Sequence, residues 1–213
     1  MRINVGCGDV PTNGWRNFDN SLSLRLSKIP VVPYLLFKIG LINASQYQFV
    51  KYAGLNEIEY ADATKRLPLS DRSVDVLYSS HMLEHLDQTD ATSFFKEARR
   101  VLRSGGIIRL AVPDLRKQVQ QYIELGDADA FISAMQLTRP RPRTTAQRLK
   151  ILLTGTRHHL WMYDGDSLCR LLVAHGFSDP HILEAGSTTI KKPGSLDLKE
   201  RLADSVYVEA VNP

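Results

Sequence analysis

The sequence predicts an α/β domain with a mostly parallel sheet, and three observations carry that reading. Short runs rich in β-branched and aromatic residues alternate with segments of helical spacing. A glycine turn, Gly6-Cys7-Gly8, closes the first of those runs. The 213 residues suit a single domain, 1–213, long enough to bury a core.

Arg2–Gly6 reads as the first strand and Trp15–Asp19 as the second. Only about nine residues link them, fewer than the usual dozen of a parallel crossover, so "DVPTNGW" is expected to make a tight turn or one helical turn. Residues 21–54 form an apolar cap insertion. Its core, "IPVVPYLLFKIGLI" (29–42), carries two prolines and a lysine and is too short to span a bilayer. It reads as a helix covering the sheet or a substrate pocket, with peripheral contact to a membrane surface as the rival. Glu57–Tyr60, Val74–Ser79 and Ile107–Val112 continue the strands. Asp90–Arg103 between the last two puts Phe94, Phe95, Ala98, Val101 and Leu102 on one helix face, and "SGG" (104–106) is expected to end that helix. Leu115–Leu125, Asp127–Leu137 and Asp166–His175 read as helices, the last capped by Asp164 or Asp166 and stopped by Gly176. The basic stretch at about 138–150, "RPRPRTTAQRLK" from Arg139, reads as a solvated loop or as a lid for an anionic substrate. Pro180–Glu184 and Ser205–Val211 complete seven strands.

Composition narrows the class. Hydrophobic residues at 43% and charged residues at 23% are ordinary for a globular protein. A net charge of +4 fits acidic partners without calling for nucleic acid, and none is expected. Two cysteines, Cys7 and Cys169, build no disulfide framework and favour a reducing compartment. With no secretory leader read at the N-terminus, the expected location is the cytoplasm.

Three strand ends point to one crevice, where open α/β sheets bind ligands. Gly6, Cys7 and Gly8 let backbone approach a ligand closely. Asp19, ending the second strand, can accept hydrogen bonds from both hydroxyls of a ribose, and Asp62, past the third, from an adenine amine. Asp62 reads equally as a turn or helix cap. Ser79 ends the fourth strand at the same edge. The third glycine of the dinucleotide fingerprint is missing, and the spacing to Asp19 is shorter than its roughly 20 residues, which argues against NAD or FAD.

"NVGCG", "ADATKRLPLSDRSVDVLYSSHMLEHL" and "EARRVLRSGGIIRLAVPD" resemble a class I S-adenosylmethionine-dependent methyltransferase of the type 11 kind, a group with sugar- and glycan-pathway members. The resemblance covers Arg2 to Asp114, and "SLCRLLVAHGF" with "VYVEAV" is similar to the closing helix and strands of the family. It implies a Rossmann-like methyltransferase fold with a seven-stranded sheet whose last strand is antiparallel, and S-adenosylmethionine as cofactor. It also implies that Gly6 and Gly8 border the methionine moiety, Asp19 holds the ribose, Asp62 and Ala63 face adenine, and Ser79 lies by the methionyl amine. The full helix that the family places between the first two strands has no room here.

"HMLEH" matches H-x-x-E-H, a spacing also used by inverted zinc peptidases. Histidines four apart share a helix face, so a metal-dependent hydrolase is an alternative. No other part of the chain supports one, and no metal is assigned. His81 and His85 are the candidate catalytic bases, with His81 preferred for its place at the end of the fourth strand. His158, His159, Trp161 and Tyr163 are candidates to line the pocket for a small-molecule or glycan acceptor, with core packing an equal reading for Trp161. Asp114 ends the fifth strand. The expected activity is methyl transfer to a small polar acceptor, with oxygen preferred over nitrogen. A non-catalytic S-adenosylmethionine-binding module is the second alternative.

Overall fold

The computed structural model describes residues 1–27, 29, 31–55, 58–138, 141–145, 148, 151 and 158–213. Seven strands form one sheet: β1 (Arg2–Val5), β2 (Arg16–Asp19), β3 (Ile58–Tyr60), β4 (Val74–Ser80), β5 (Leu102–Pro113), β6 (Ser178–Leu183) and β7 (Ser205–Asn212). Their order is β3-β2-β1-β4-β5-β7-β6. β1 to β5 pair in parallel, and β7 runs antiparallel to both neighbours. The chain reverses at β1, which lies between β2 and β4, and that switch point is where such sheets bind ligands.

The helices are α1 (Leu22–Ser27), α2 (Val32–Lys38), α3 (Ala44–Leu55), α4 (Gln88–Val101), α5 (Leu115–Leu125), α6 (Ala128–Met135) and α7 (Gly165–Ala174), with a 3-10 turn at Leu83–His85. Asp87 caps α4 through Asp90 N–H, and Asp164 forms a capping box with Ser167 on α7. α4 buries Phe94, Phe95, Ala98 and Val101 against one sheet face, where Leu168 and Leu172 of α7 join them.

"SGG" does not end α4, as expected above. The helix stops at Val101, and Leu102 is already extended and paired with Val74. Ile107 pairs next, with Val76, so residues 103–106 are an irregularity at the start of β5. Gly105 takes φ +72° there, and a Cβ on Gly106 would meet the carbonyl oxygen of Arg103 at 2.9 Å.

The short β1–β2 link contains no helix. The opposite sheet face, Val76, Tyr78, Ala111 and Tyr207, is covered instead by Ile190, Leu196 and Leu198 from the β6–β7 connection, with Trp15 of the link itself. That connection is fastened to the first strands: Arg2 donates to the carbonyls of Lys191 and Lys192, and the Ser195 hydroxyl donates to that of Asn13. A loop layer thus replaces the missing helix.

Within the stretch 29–42, Val32–Lys38 form the short α2, which packs against α1 and α3 rather than over the sheet. Leu24, Ile42 and Val50 are buried, while Val31, Tyr34, Leu35 and Ile39 stay exposed. No helix among the described residues is long and apolar enough to cross a membrane. Residues 139, 140, 146, 147, 149 and 150 of the expected basic loop of 138–150 fall outside the described residues.

Candidate active site

At the glycine turn the backbone donors are not free, contrary to the picture of amides open to a ligand. The N–H groups of Gly6 and Cys7 both donate to the Phe18 carbonyl, at 2.8 and 3.1 Å, extending the β1–β2 pairing. Gly8 N–H donates to Asp19 Oδ2 at 3.0 Å. The two glycines then differ. A Cβ on Gly6 would strike Met82 Cγ at 2.5 Å, so this turn packs directly against "HMLEH"; a Cβ on Gly8 would meet nothing within 4 Å. Cys7 turns its side chain into a small apolar cluster with Leu24 and Ile58. Burial, with the Asp19 charge second, pushes its thiol up to about 12, so it is inert.

Asp19 accepts Gly8 N–H on one oxygen and Ser21 N–H on the other, at 2.7 Å. Each carboxylate oxygen keeps a second lone pair for another donor. Asp62 accepts from the Thr64 N–H and hydroxyl and pairs with Lys65 at 2.9 Å, the geometry of its capping role. Burial works to raise its carboxyl, but the Lys65 and Thr64 bonds outweigh that and hold it below the usual range. Ala63 is buried in the main core. Ser79 is 2% exposed and its hydroxyl has no partner. The open side of Gly8, the remaining lone pairs of Asp19 and the orphaned Ser79 hydroxyl suit a ligand bearing hydroxyls and an amine, and S-adenosylmethionine is such a ligand.

Beside this crevice lies a cluster centred on Glu84, which is 1% exposed. His81 does not lead a helix with His85. It sits at φ +49°, a strained conformation for a non-glycine residue, with its N–H on the Ala111 carbonyl. Its Nδ1 lies 3.3 Å from Glu84 Oε1 and its Nε2 2.8 Å from Ser205 Oγ. The Ser205 hydroxyl itself donates to the Glu200 carbonyl, so it accepts from His81. His81 is therefore enclosed, and the ring that reaches solvent is His85, 34% exposed at its side chain. His85 Nδ1 faces the His158 carbonyl at 2.9 Å, which puts the proton of the neutral ring there and leaves Nε2 as a lone pair.

The segment after the undescribed residues completes the cluster. Leu160 and Trp161 N–H donate to the Glu84 carbonyl at 2.7 and 3.2 Å, which brings the His159 ring to 5.1 Å from that of His85. His159 is buried and burial lowers its pKa. Trp161 is 45% exposed, so core packing does not explain it. Tyr163 is buried, and Asp114 caps α5 through Arg116 N–H. Ser205 gave no sequence signal, because it meets His81 only through β7.

Residues 41–110 match the family model described as a methyltransferase domain, a span holding Asp62, Ala63, Ser79, His81 and His85 but not the glycine turn or Asp19. An S-adenosylmethionine-dependent methyltransferase of Methanosarcina mazei superposes with a TM-score of 0.53 at 15% identity, over 99% of this chain and 91% of that one. One from Thermotoga maritima superposes at 0.50 and 13%, over 100% and 82%. Residues 41–110 thus resemble a methyltransferase domain, and the whole chain shares the fold of these two enzymes. No curated protein matches the chain. The β1–β2 link of this chain holds no helix, while its seven-stranded Rossmann-like sheet is intact.

Proposed function

We propose that this chain is an S-adenosylmethionine-dependent methyltransferase that methylates a hydroxyl of a small polar acceptor, a sugar or glycan intermediate being the class that fits best. One observation carries the reading: the Glu84-centred histidine cluster abuts the glycine turn through the Met82–Gly6 contact, and His85, whose Nε2 is left as a lone pair, is its partly exposed ring. Amines need little activation, whereas a hydroxyl must lose a proton as it attacks, and the imidazole serves that need. The exposed Trp161, tied to the Glu84 carbonyl, offers an aromatic face for a sugar ring.

In this reading Gly6, Cys7 and Gly8 line the methionine end of the cofactor, Asp19 accepts the ribose hydroxyls, Asp62 and Ala63 border adenine, and Ser79 meets the amine. S-adenosylmethionine, when bound, supplies a methyl group on a sulfonium, which the acceptor oxygen takes as the carbon–sulfur bond breaks with its electrons left on sulfur. The protein aligns the acceptor and excludes water. His85 activates the hydroxyl, and His81, held by Ser205, packs beside Glu84. Two free cysteines fit a cytoplasmic setting.

Calorimetry with S-adenosylmethionine tests the crevice. Asp19→Ala is expected to weaken binding by about 10- to 150-fold, the worth of hydrogen bonds to a charged group. Undiminished affinity would refute the ribose assignment. With the crevice established, His85→Ala should keep cofactor affinity and lose transfer to hydroxyl acceptors; normal turnover would refute the role of His85.

A peripheral membrane contact is a compatible second reading. Val31, Leu35 and Ile39, spaced four apart and 63%, 52% and 67% exposed, form one apolar stripe on α2 beside Lys38. Sedimentation with anionic liposomes should capture the wild type, and Leu35→Glu/Ile39→Glu should abolish capture. Equal recovery of both proteins in the supernatant would exclude it.

A further inference from the structure

We propose that Glu84, His85 and His159 form a binding site for one divalent transition-metal ion, of the zinc class. One donor atom from each of the three lies within 4.8 Å of the others. Glu84 Oε1 is 4.0 Å from His85 Nε2 and 4.0 Å from His159 Nε2. Zinc bound at roughly 2.0–2.2 Å by nitrogen and oxygen needs its ligands about 3.3–3.6 Å apart, so small rotamer shifts close this set around an ion.

The chemistry of the donors points the same way. Glu84 is 1% exposed and neither of its oxygens accepts a hydrogen bond. A buried carboxylate in that state is unfavourable unless a cation compensates it. His85 Nε2 and His159 Nε2 each lie 4.0 Å from Oε1, beyond His81 Nδ1 at 3.3 Å, and His85 presents a lone pair because its other nitrogen is turned to the His158 carbonyl at 2.9 Å. A backbone carbonyl on the far nitrogen is the outer contact that fixes a metal-binding histidine in its tautomer. Two imidazoles and a carboxylate suit zinc, cobalt or iron(II) rather than magnesium or calcium, which prefer all-oxygen sites. The H-x-x-E-H spacing is not what builds the site. Among the described residues His81 does not join the converging set, and the second imidazole comes from His159, delivered by the Leu160 and Trp161 bonds to the Glu84 carbonyl.

Three protein ligands leave a coordination position open, on the side where His85 is accessible. The ion would take up the His85 Nε2 lone pair and so replace it as the activating group: an acceptor hydroxyl bound at the open position would lose its proton to solvent far more readily than in water. That role rests on the methyl-transfer reading; the ion site itself does not.

The test is zinc uptake by untagged, chelator-stripped protein, measured by equilibrium dialysis and elemental analysis, with cobalt(II) absorption as a spectroscopic readout. One zinc per chain is expected, with a rise in thermal midpoint. Glu84→Gln, close to isosteric, and His159→Ala should each weaken uptake at least tenfold and lose the cobalt band, while the control His181→Ala binds as wild type. A wild type that takes up no zinc, or folded Glu84→Gln and His159→Ala proteins that bind like it, would overturn the inference. S-adenosylmethionine calorimetry on the same samples separates the two readings. Cofactor binding without zinc overturns only the metal site, and zinc without cofactor binding overturns only the methyl-transfer reading.

Discussion

Replacing Glu209 with alanine is expected to destabilise the fold by about 3–5 kcal/mol, the range for breaking one side of a buried ion pair. The loss would be read as a lower urea midpoint at unchanged slope. Arg109 on β5 is 0% exposed and Glu209, opposite it on β7, is 1% exposed, with Nη1 and Oε1 2.6 Å apart. Glu209 also accepts the hydroxyls of Thr188 and Thr189 and the N–H of Thr189, while Arg109 donates to the carbonyls of Ser187 and Leu198. The pair thus pins the β6–β7 connection over the sheet face that lacks a helix. Alanine would leave the guanidinium buried without a counter-charge and the threonines without an acceptor. For that reason the double variant Arg109→Met/Glu209→Leu should recover only part of the loss. A loss for Glu209→Ala below about 1 kcal/mol, the level of an exposed pair, would refute the role assigned to the pair.

The same carboxylate sets a pH dependence. Burial works to raise its pKa, but the Thr188, Thr189 and Arg109 bonds outweigh it and hold the group below the ordinary 4.5. Its contribution is therefore fully present above the unfolded value and is lost as pH falls through the lower, folded one. Glu59, Asp71, Asp75 and Asp164 are depressed too and add to the slope in the same acidic window. Glu209→Gln should flatten that slope in urea titrations below about pH 4.5 without abolishing it.

How much of this was legible depended on sequence distance. The apolar runs of β1, β4 and β7 and the face of α4 announce themselves because their periodicity is local. The short β1–β2 link was legible too, as a helix with no room to form. What covers the bare sheet face was not, since it depends on Arg2 reaching Lys191 and Lys192 and on Glu209 reaching Thr189, contacts that leave no periodic trace. "SGG" misled for a related reason. Glycine at positive φ serves a helix exit and a strand irregularity equally, and the Leu102–Val74 pairing decided between them. At the site, Gly6, Gly8, Asp19 and Ser79 could be placed at strand ends from the sequence. The orientation of the histidines could not: His81 looked better by position, but Ser205 on β7 encloses it, and His159 joins Glu84 through backbone bonds from a distant segment.

Gly6→Ala should reveal that the two glycines of the turn do different work. At Gly6 the backbone has φ +72°, and an added Cβ would lie 2.5 Å from Met82 Cγ and 2.8 Å from Met82 Cβ. A left-handed conformation costs an ordinary residue about 1–2 kcal/mol, and overpacking adds about 1–3 kcal/mol. A loss of about 2–5 kcal/mol in urea unfolding is therefore expected. Gly6→Ala/Met82→Ala should relieve the clash with Met82 Cγ but not that with its Cβ, so it recovers part of the overpacking share and keeps the backbone share, a coupling that a double-mutant cycle measures directly. Gly8→Ala has φ +52° but no atom within 4 Å of the new Cβ, so only the backbone share applies to its stability. Its Cβ instead projects into the open side of the turn, and S-adenosylmethionine affinity should fall at least tenfold, about 1.4 kcal/mol. If Gly6→Ala is as stable as wild type, Met82 does not brace the turn. If Gly8→Ala binds the cofactor normally, the methionine end lies away from the turn, and Asp19 and Ser79 are left to hold the cofactor at the strand ends.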